Sequence, residues 1–267
     1  MAILLLAAGA STGVQPIVSM TWLQAHLNDA SVRVIYVGDR DDYDRGHIPG
    51  ARAIDHMDTV GGGHRLLPFA DLARVLARAG AEDGAQVVLY GSDPMSTGWI
   101  YMAFAAVGHG GDVSWLDGGP RLWRDEKRPV STATPPSGTG QLTVKPAPDV
   151  IVDAAWVKDR LQSPSVRLLD VRTMDEWSGG HLPGATLVLW QDLYADQKTL
   201  TFRAPAEIRA LLAKAGVGPN QEVVTYCAVG MRASLMYWAA RSVGIPARVY
   251  VGSYQDWRRD SLNPVVR

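Results

Sequence analysis

Cysteine is nearly missing from this chain: its 267 residues hold one, Cys227. A single thiol excludes any intrachain disulfide and any multi-cysteine metal site. Charge of one sign is not in excess either, with 26 Lys and Arg against 27 Asp and Glu and a formal net charge of −1. That balance gives no reason to expect nucleic acid or an acidic membrane surface as a partner. No apolar run reaches the ~18 residues that a bilayer span requires. What remains is a chain with 47% hydrophobic residues, enough for proper cores and too many for wholesale disorder. Its length suits one large domain or two of ordinary size.

The N-terminus supports two readings. In MAILLLAAGASTG a short apolar run, Ile3 to Ala8, leads into Ala8-Gly9-Ala10, which fits an A-x-A cleavage pattern. No Lys or Arg precedes it. Residues 1–10 are therefore either the remnant of an export signal, which implies a periplasmic or exported protein, or an apolar tail on a cytoplasmic one.

The chain repeats itself. SVRVIYVGDRDDYDRGHIPGA (Ser31–Ala51) matches SVRLLDVRTMDEWSGGHLPGA (Ser165–Ala185) without a gap. VVLYGSDPMSTGW (Val87–Trp99) lines up with VVTYCAVGMRASL (Val223–Leu235), and LDGGPRLWRDEKRPV (Leu116–Val130) parallels YVGSYQDWRRDSLNPV (Tyr250–Val265). Blocks in the same order at a nearly constant offset mark a tandem duplication. The halves are expected at 15–130 and 146–267, joined by a linker at 131–145 whose STATPPSGTGQ is rich in Ser, Thr, Pro and Gly. Within each half short apolar strands such as EVVTY alternate with helices such as APAEIRALLAKAG, whose Ile208, Leu211, Leu212 and Ala215 share one face. The fold class is α/β, each half a mainly parallel sheet flanked by helices and large enough to bury a core of its own.

Cys227 sits where a strand ends and a helix begins, the edge at which open α/β sheets bind ligands. Backbone amides of such a turn form a nest that favours an anion. The residues that follow suit a nucleophilic thiolate in an anion cradle. Gly230 permits a tight turn, Arg232 adds a fixed charge, and Ser234 is within reach to donate to the sulfur. The alternative, a buried structural cysteine, is weakened by the first half, where Gly91 takes the cysteine's place and no Arg follows.

These motifs resemble a tandem-domain rhodanese, a sulfurtransferase of the thiosulfate or 3-mercaptopyruvate type. The resemblance covers about residues 15–267 and rests on GHIPGA and GHLPGA, the LLDVR strand end at Leu168–Arg172, the C-x-x-G-x-R loop from Cys227 to Arg232, and the terminal GSYQDW. It implies two rhodanese-like domains, the first non-catalytic, with catalysis in the cleft between them. It implies that Cys227 takes up sulfur as a persulfide, from thiosulfate, and passes it to cyanide or a thiol. Ala228, Val229, Gly230, Met231, Arg232 and Ala233 would bind the substrate, and Ser234, Asp170 and Arg172 would support the loop. For Asp170 and Arg172 a structural turn or a surface pair is the competing reading. No metal or organic cofactor is implied. The partners are a small sulfur donor and acceptor, a thiol-bearing protein being one class of acceptor.

His47 and His181 recur in both halves and are read as architectural, as are Trp123 and Trp257. Trp190 is assigned to core packing near the cleft. Two rival functions are set beside sulfur transfer. Cysteine phosphatases use a similar cradle with five residues between Cys and Arg; here only Ala228, Val229, Gly230 and Met231 intervene, which makes a tighter pocket. A non-catalytic sulfur carrier would use Cys227 without turnover.

Overall fold

The computed structural model describes residues 14–135 and 140–267. Residues 1–10, with their two readings, lie outside it, as does part of the expected linker. Ten short strands carry the two main sheets. In the first half they are β1 (Ile17–Val18), β2 (Val32–Val37), β3 (Arg52–Ile54), β4 (Gln86–Gly91) and β5 (Val113–Leu116). In the second they are β6 (Ile151–Val152), β7 (Val166–Asp170), β8 (Thr186–Leu187), β9 (Glu222–Tyr226) and β10 (Ala247–Tyr250). Every pairing in these sheets is parallel, in the orders β1-β5-β4-β2-β3 and β6-β10-β9-β7-β8. Equivalent strands hold equivalent places, as a duplicated chain requires. Val- and Ile-rich runs without polar alternation suit strands covered on both faces.

Both halves use the same local ties. His47 exchanges backbone hydrogen bonds with Ser131, and His181 with Val266. His47 stacks on Tyr43 at 3.7 Å, and His181 on Trp177 at 3.5 Å. The indole N–H of Trp123 donates to the Pro129 carbonyl, and that of Trp257 to the Pro264 carbonyl. These residues clamp the end of each half onto its own sheet, the architectural role expected of them. Trp190 is half-buried against the core. The expected linker is tied down in part: Lys145 N–H donates to the Val107 carbonyl, and Thr143 binds Asp83.

Among the described residues the α-helices are α1 (Met20–Ala25), α2 (Arg40–Arg45), α3 (Phe69–Arg78), α4 (Pro94–Ala106), α5 (Gly119–Asp125), α6 (Ala154–Lys158), α7 (Met174–Ser178), α8 (Pro205–Lys214), α9 (Met231–Ser242) and α10 (Ser253–Trp257), and two of them decide how the halves meet. The first, α4 (Pro94–Ala106), follows β4; the second, α9 (Met231–Ser242), follows β9. From Ser96 to Ala106 every residue of α4 is buried, and from Ala233 to Ala240 every residue of α9. A helix apolar on all sides must be covered on all sides. Each lies on its own sheet and against the other helix. At the crossing Gly98 is so close to α9 that a Cβ there would stand 2.7 Å from the Leu235 backbone. Alongside, Trp115 of the first half packs on Trp238 (4.5 Å) and Phe202 (5.3 Å) of the second.

The core differs from the expectation that each half buries its own. The outer faces do so, with Leu23, Tyr43 and Trp123 in one cluster and Val157, Tyr226 and Trp257 in the other. The largest cluster is shared, running from Ile35, Leu89 and Phe104 to Leu169, Met236 and Val249. Because the facing helices are apolar all round, neither half closes this core alone.

Enlarging Gly98 therefore loosens the docking. Gly98→Val is expected to cost about 1–3 kcal/mol, as overpacking of a close helix contact does. Urea unfolding of parent and variant measures it; an unchanged midpoint would show that the crossing is not tightly packed.

Candidate active site

Strand β9 ends at Tyr226, level with Asp170 of β7, and Cys227 is the next residue. The chain is pinned there from one side by the short helix α10 (Ser253–Trp257). Cys227 N–H donates to Ser253 Oγ at 3.1 Å, and the Ser253 hydroxyl donates onward to the Tyr250 carbonyl at 2.8 Å. Tyr254 N–H donates to the Cys227 carbonyl, and Gln255 N–H to that of Ala228. Ser253 holds φ +56°, a left-handed conformation for which the first half uses Gly119 at φ +59°. A serine tolerated at a glycine position points to its hydroxyl, which fixes the cysteine backbone.

Cys227 is 1% exposed. Gly230 N–H donates to Cys227 Sγ at 3.1 Å. Gly230 begins α9 at φ +93°, and a Cβ on it would stand 2.8 Å from the Val251 carbonyl oxygen, so the turn requires glycine twice over. No side chain caps α9. Among the described residues none accepts the amides of Ala228, Val229, Met231, Arg232 and Ala233. These N–H groups and the positive end of the helix favour an anion at Sγ.

The first half shows what the same loop does without a thiol. Asp93, which corresponds to Val229, caps α4 by accepting from the Met95 and Ser96 amides, both at 3.1 Å. The loop's anion site is filled by its own carboxylate. A Cβ on Gly91 would stand 2.3 Å from the Val37 carbonyl oxygen and 2.8 Å from Thr97 Oγ1. Thr97 thus occupies space that Cys227 and the smaller Ala233 share in the second half.

Arg232, the fixed charge expected in the loop, has a carboxylate partner. Its guanidinium makes two bonds to Glu176, of 2.6 and 2.8 Å. Glu176 projects from α7 (Met174–Ser178), where it also closes a capping box with Thr173. The hydrogen bond from Arg232, opposed by partial burial and helped by Thr173, holds the Glu176 carboxyl down to about 2. Arg232 is held above its ordinary value, first by Glu176 and then, against desolvation, by the adjacent Cys227 thiolate. The guanidinium thus stands between a carboxylate and the thiol.

Ser234 has a different partner from the one expected. Its hydroxyl donates to the Met231 carbonyl at 2.7 Å, one turn back along α9, and does not reach the sulfur. Asp170 and Arg172 form a buried bidentate pair of 2.6 to 3.0 Å, and Arg172 also donates to the Gly180 carbonyl. Arg172 lies 4.1 Å over the Tyr254 ring. The pair touches the thiol only indirectly, by holding the residue whose N–H grips Cys227 O.

Glu176 and Ser253 are the residues that sequence reasoning missed. The signal for Ser253 lay in its alignment with Gly119. For Glu176, Thr173-x-x-Glu176 announces only a helix start. Beside the loop lies a cavity of ≈ 500 Å³ lined from the first half by His64, Leu67 and Phe69 and from the second by Val229, Gly252 and Trp156. Among the described residues no cluster of His, Cys, Asp and Glu is arranged for a metal, and no helix is long and apolar enough to cross a membrane.

Comparison with known proteins agrees with this geometry. A family model described as "Rhodanese-like domain" matches residues 19–126 and again 153–260. The sulfur carrier protein TtuD of Thermus thermophilus is 30% identical over 273 residues, covering 90% of this chain and 93% of its own. The thiosulfate sulfurtransferase of Azotobacter vinelandii is 27% identical, covering 91% and 94%. Among solved structures, one of EanB bearing a cysteine persulfide superposes with a TM-score of 0.81 at 25% identity, covering 94% of this chain and 70% of the other.

If the free amides form the anion site, giving the second half the first half's cap should close it. Val229→Asp is expected to slow alkylation of Cys227 by iodoacetamide at pH 7 at least about tenfold, without lowering the thermal midpoint, because a new cap contributes about 1 kcal/mol. Unaltered alkylation would remove these amides from the account.

Proposed function

The chain belongs to the rhodanese-like family, and from that premise we propose a sulfurtransferase that carries sulfur on Cys227 as a persulfide. The observation that carries this reading is the Gly230 amide 3.1 Å from Sγ, in a loop whose other amides are unclaimed. The Cys227 thiolate attacks the outer sulfur of thiosulfate. The S–S bond breaks, and sulfite leaves with its electron pair. The persulfide keeps the negative charge within the same amides, so one cradle serves both states. Cyanide or a thiolate then attacks the terminal sulfur, and Cys227 departs as the thiolate. This is two-step covalent catalysis.

In this reading residues 146–267 form the catalytic domain, with the backbone of Ala228 to Ala233 as the cradle. Residues 15–130 form a non-catalytic partner whose loop is closed by Asp93, and 131–145 connect them. Asp170, Arg172 and Ser253 position the loop, and Ser234 stiffens the first turn of α9. Thiosulfate as donor is supported by the name of the Azotobacter relative, and the carrying of sulfur by that of the Thermus relative. A second reading, 3-mercaptopyruvate as donor, is favoured by the Arg232–Glu176 pair, since a neutralised guanidinium offers a dianion less.

Cys227→Ser is expected to abolish thiosulfate:cyanide turnover while near-ultraviolet circular dichroism stays that of the parent. Residual turnover above background would take the nucleophile's role from Cys227.

Arg232→Leu removes the cation beside the thiol and leaves Glu176 uncompensated. The expected cost is about ten- to a hundredfold in kcat/KM for thiosulfate. A variant equal to the parent would mean that Arg232 serves only to hold α7 against α9.

A further inference from the structure

The Arg232–Glu176 pair has no counterpart in the first half. There Asp42 stands at the place of Glu176 and Ser96 at that of Arg232; Asp42 bonds Arg45 on its own helix, and Ser96 bonds Asp93 and His56. The charge pair is thus particular to the half with the thiol. Its members are unequally exposed. The Arg232 side chain is 17% exposed and that of Glu176 34%, so the carboxylate is the solvent side of the pair. Both of its oxygens accept from Arg232, and the Thr173 amide adds a third bond at 3.0 Å. The carboxylate is therefore a fixed, ionised group and not a mobile one.

No other residue from Ala228 to Ala233 is charged. With Cys227 as thiolate, the thiolate, Arg232 and Glu176 together carry one net negative charge before any donor arrives. A dianion meets that charge twice as strongly as a monoanion does. We propose that Glu176 is a specificity-determining residue that biases this site against dianionic sulfur donors and in favour of monoanionic or uncharged ones. The inference rests on the sulfurtransferase reading for its meaning, while its electrostatic content stands on the pair alone.

Glu176→Gln is a suitable test because glutamine can still accept from Thr173 and from one nitrogen of Arg232, so the capping box and the placement of Arg232 are retained. Glu176→Asp keeps the charge and serves as the conservative control. The first measurement is kcat/KM for thiosulfate, a dianion, and for 3-mercaptopyruvate, a monoanion at neutral pH, in all three proteins. The thiosulfate-to-mercaptopyruvate ratio is expected to rise at least about tenfold in Glu176→Gln, the scale for removing one unit charge at a partly exposed site, and to move less than about threefold in Glu176→Asp. A ratio that stays put or falls in Glu176→Gln, or that moves alike in both variants, overturns the proposal. The second measurement needs no turnover: alkylation of Cys227 by iodoacetate, an anion, against iodoacetamide, which is neutral. Their rate ratio is expected to rise about tenfold in Glu176→Gln. If the parent uses neither donor, the sulfurtransferase reading fails, and the alkylation ratio then decides the role of Glu176, an unchanged ratio overturning it.

Discussion

Two helices that are apolar on every side, α4 and α9, cannot be covered by their own sheets alone. Each needs the other, and Gly98 removes the side chain that would hold them apart. From that contact follows the rest of the arrangement. The helices begin at the strand ends that carry the two loops, and docking them sets the second half's loop beside the first half. It also joins the two inner cores into one. The second half thus has its loop walled by the first, with His64, Leu67 and Phe69 across the cavity from Val229.

Within that frame the duplicated loops have taken opposite solutions to the same physical problem. A strand-to-helix turn exposes amides that need an acceptor. In the first half Asp93 supplies it, and Gly91 with Thr97 fills the space. In the second half Val229 cannot cap, Ala233 leaves room, and Cys227 stands at the strand end with the Gly230 amide on its sulfur. One copy satisfies its helix amides with its own carboxylate. The other leaves amides free for an anion, a local sacrifice of helix stability of the kind that accompanies function.

Much of this was legible in the sequence. The repeat, the strand and helix order, the lone thiol at a strand end and the glycine after it are local patterns, and local patterns survive folding. The partners and burial of the side chains were not legible. Arg232 reads as a fixed charge beside the thiol, and nothing in the sequence names Glu176, 56 residues away, as its partner. Ser234 reads as a donor to sulfur, yet on a helix its hydroxyl finds the Met231 carbonyl one turn back first. Asp170 and Arg172 read as a surface pair or a loop support; in the fold they are buried together, with Arg172 against the Tyr254 ring. The expectation of separate cores failed for a related reason. An apolar helix announces that it is buried, not by what.

The central claim is that Cys227 takes sulfur into its own amide cradle. Mass spectrometry of the intact protein after incubation with thiosulfate or 3-mercaptopyruvate tests it most directly. The account predicts a gain of one sulfur atom that peptide mapping assigns to Cys227, that cyanide removes, and that Cys227→Ser does not show. A parent that gains no sulfur from either donor, or a gain that persists in Cys227→Ser, would contradict it.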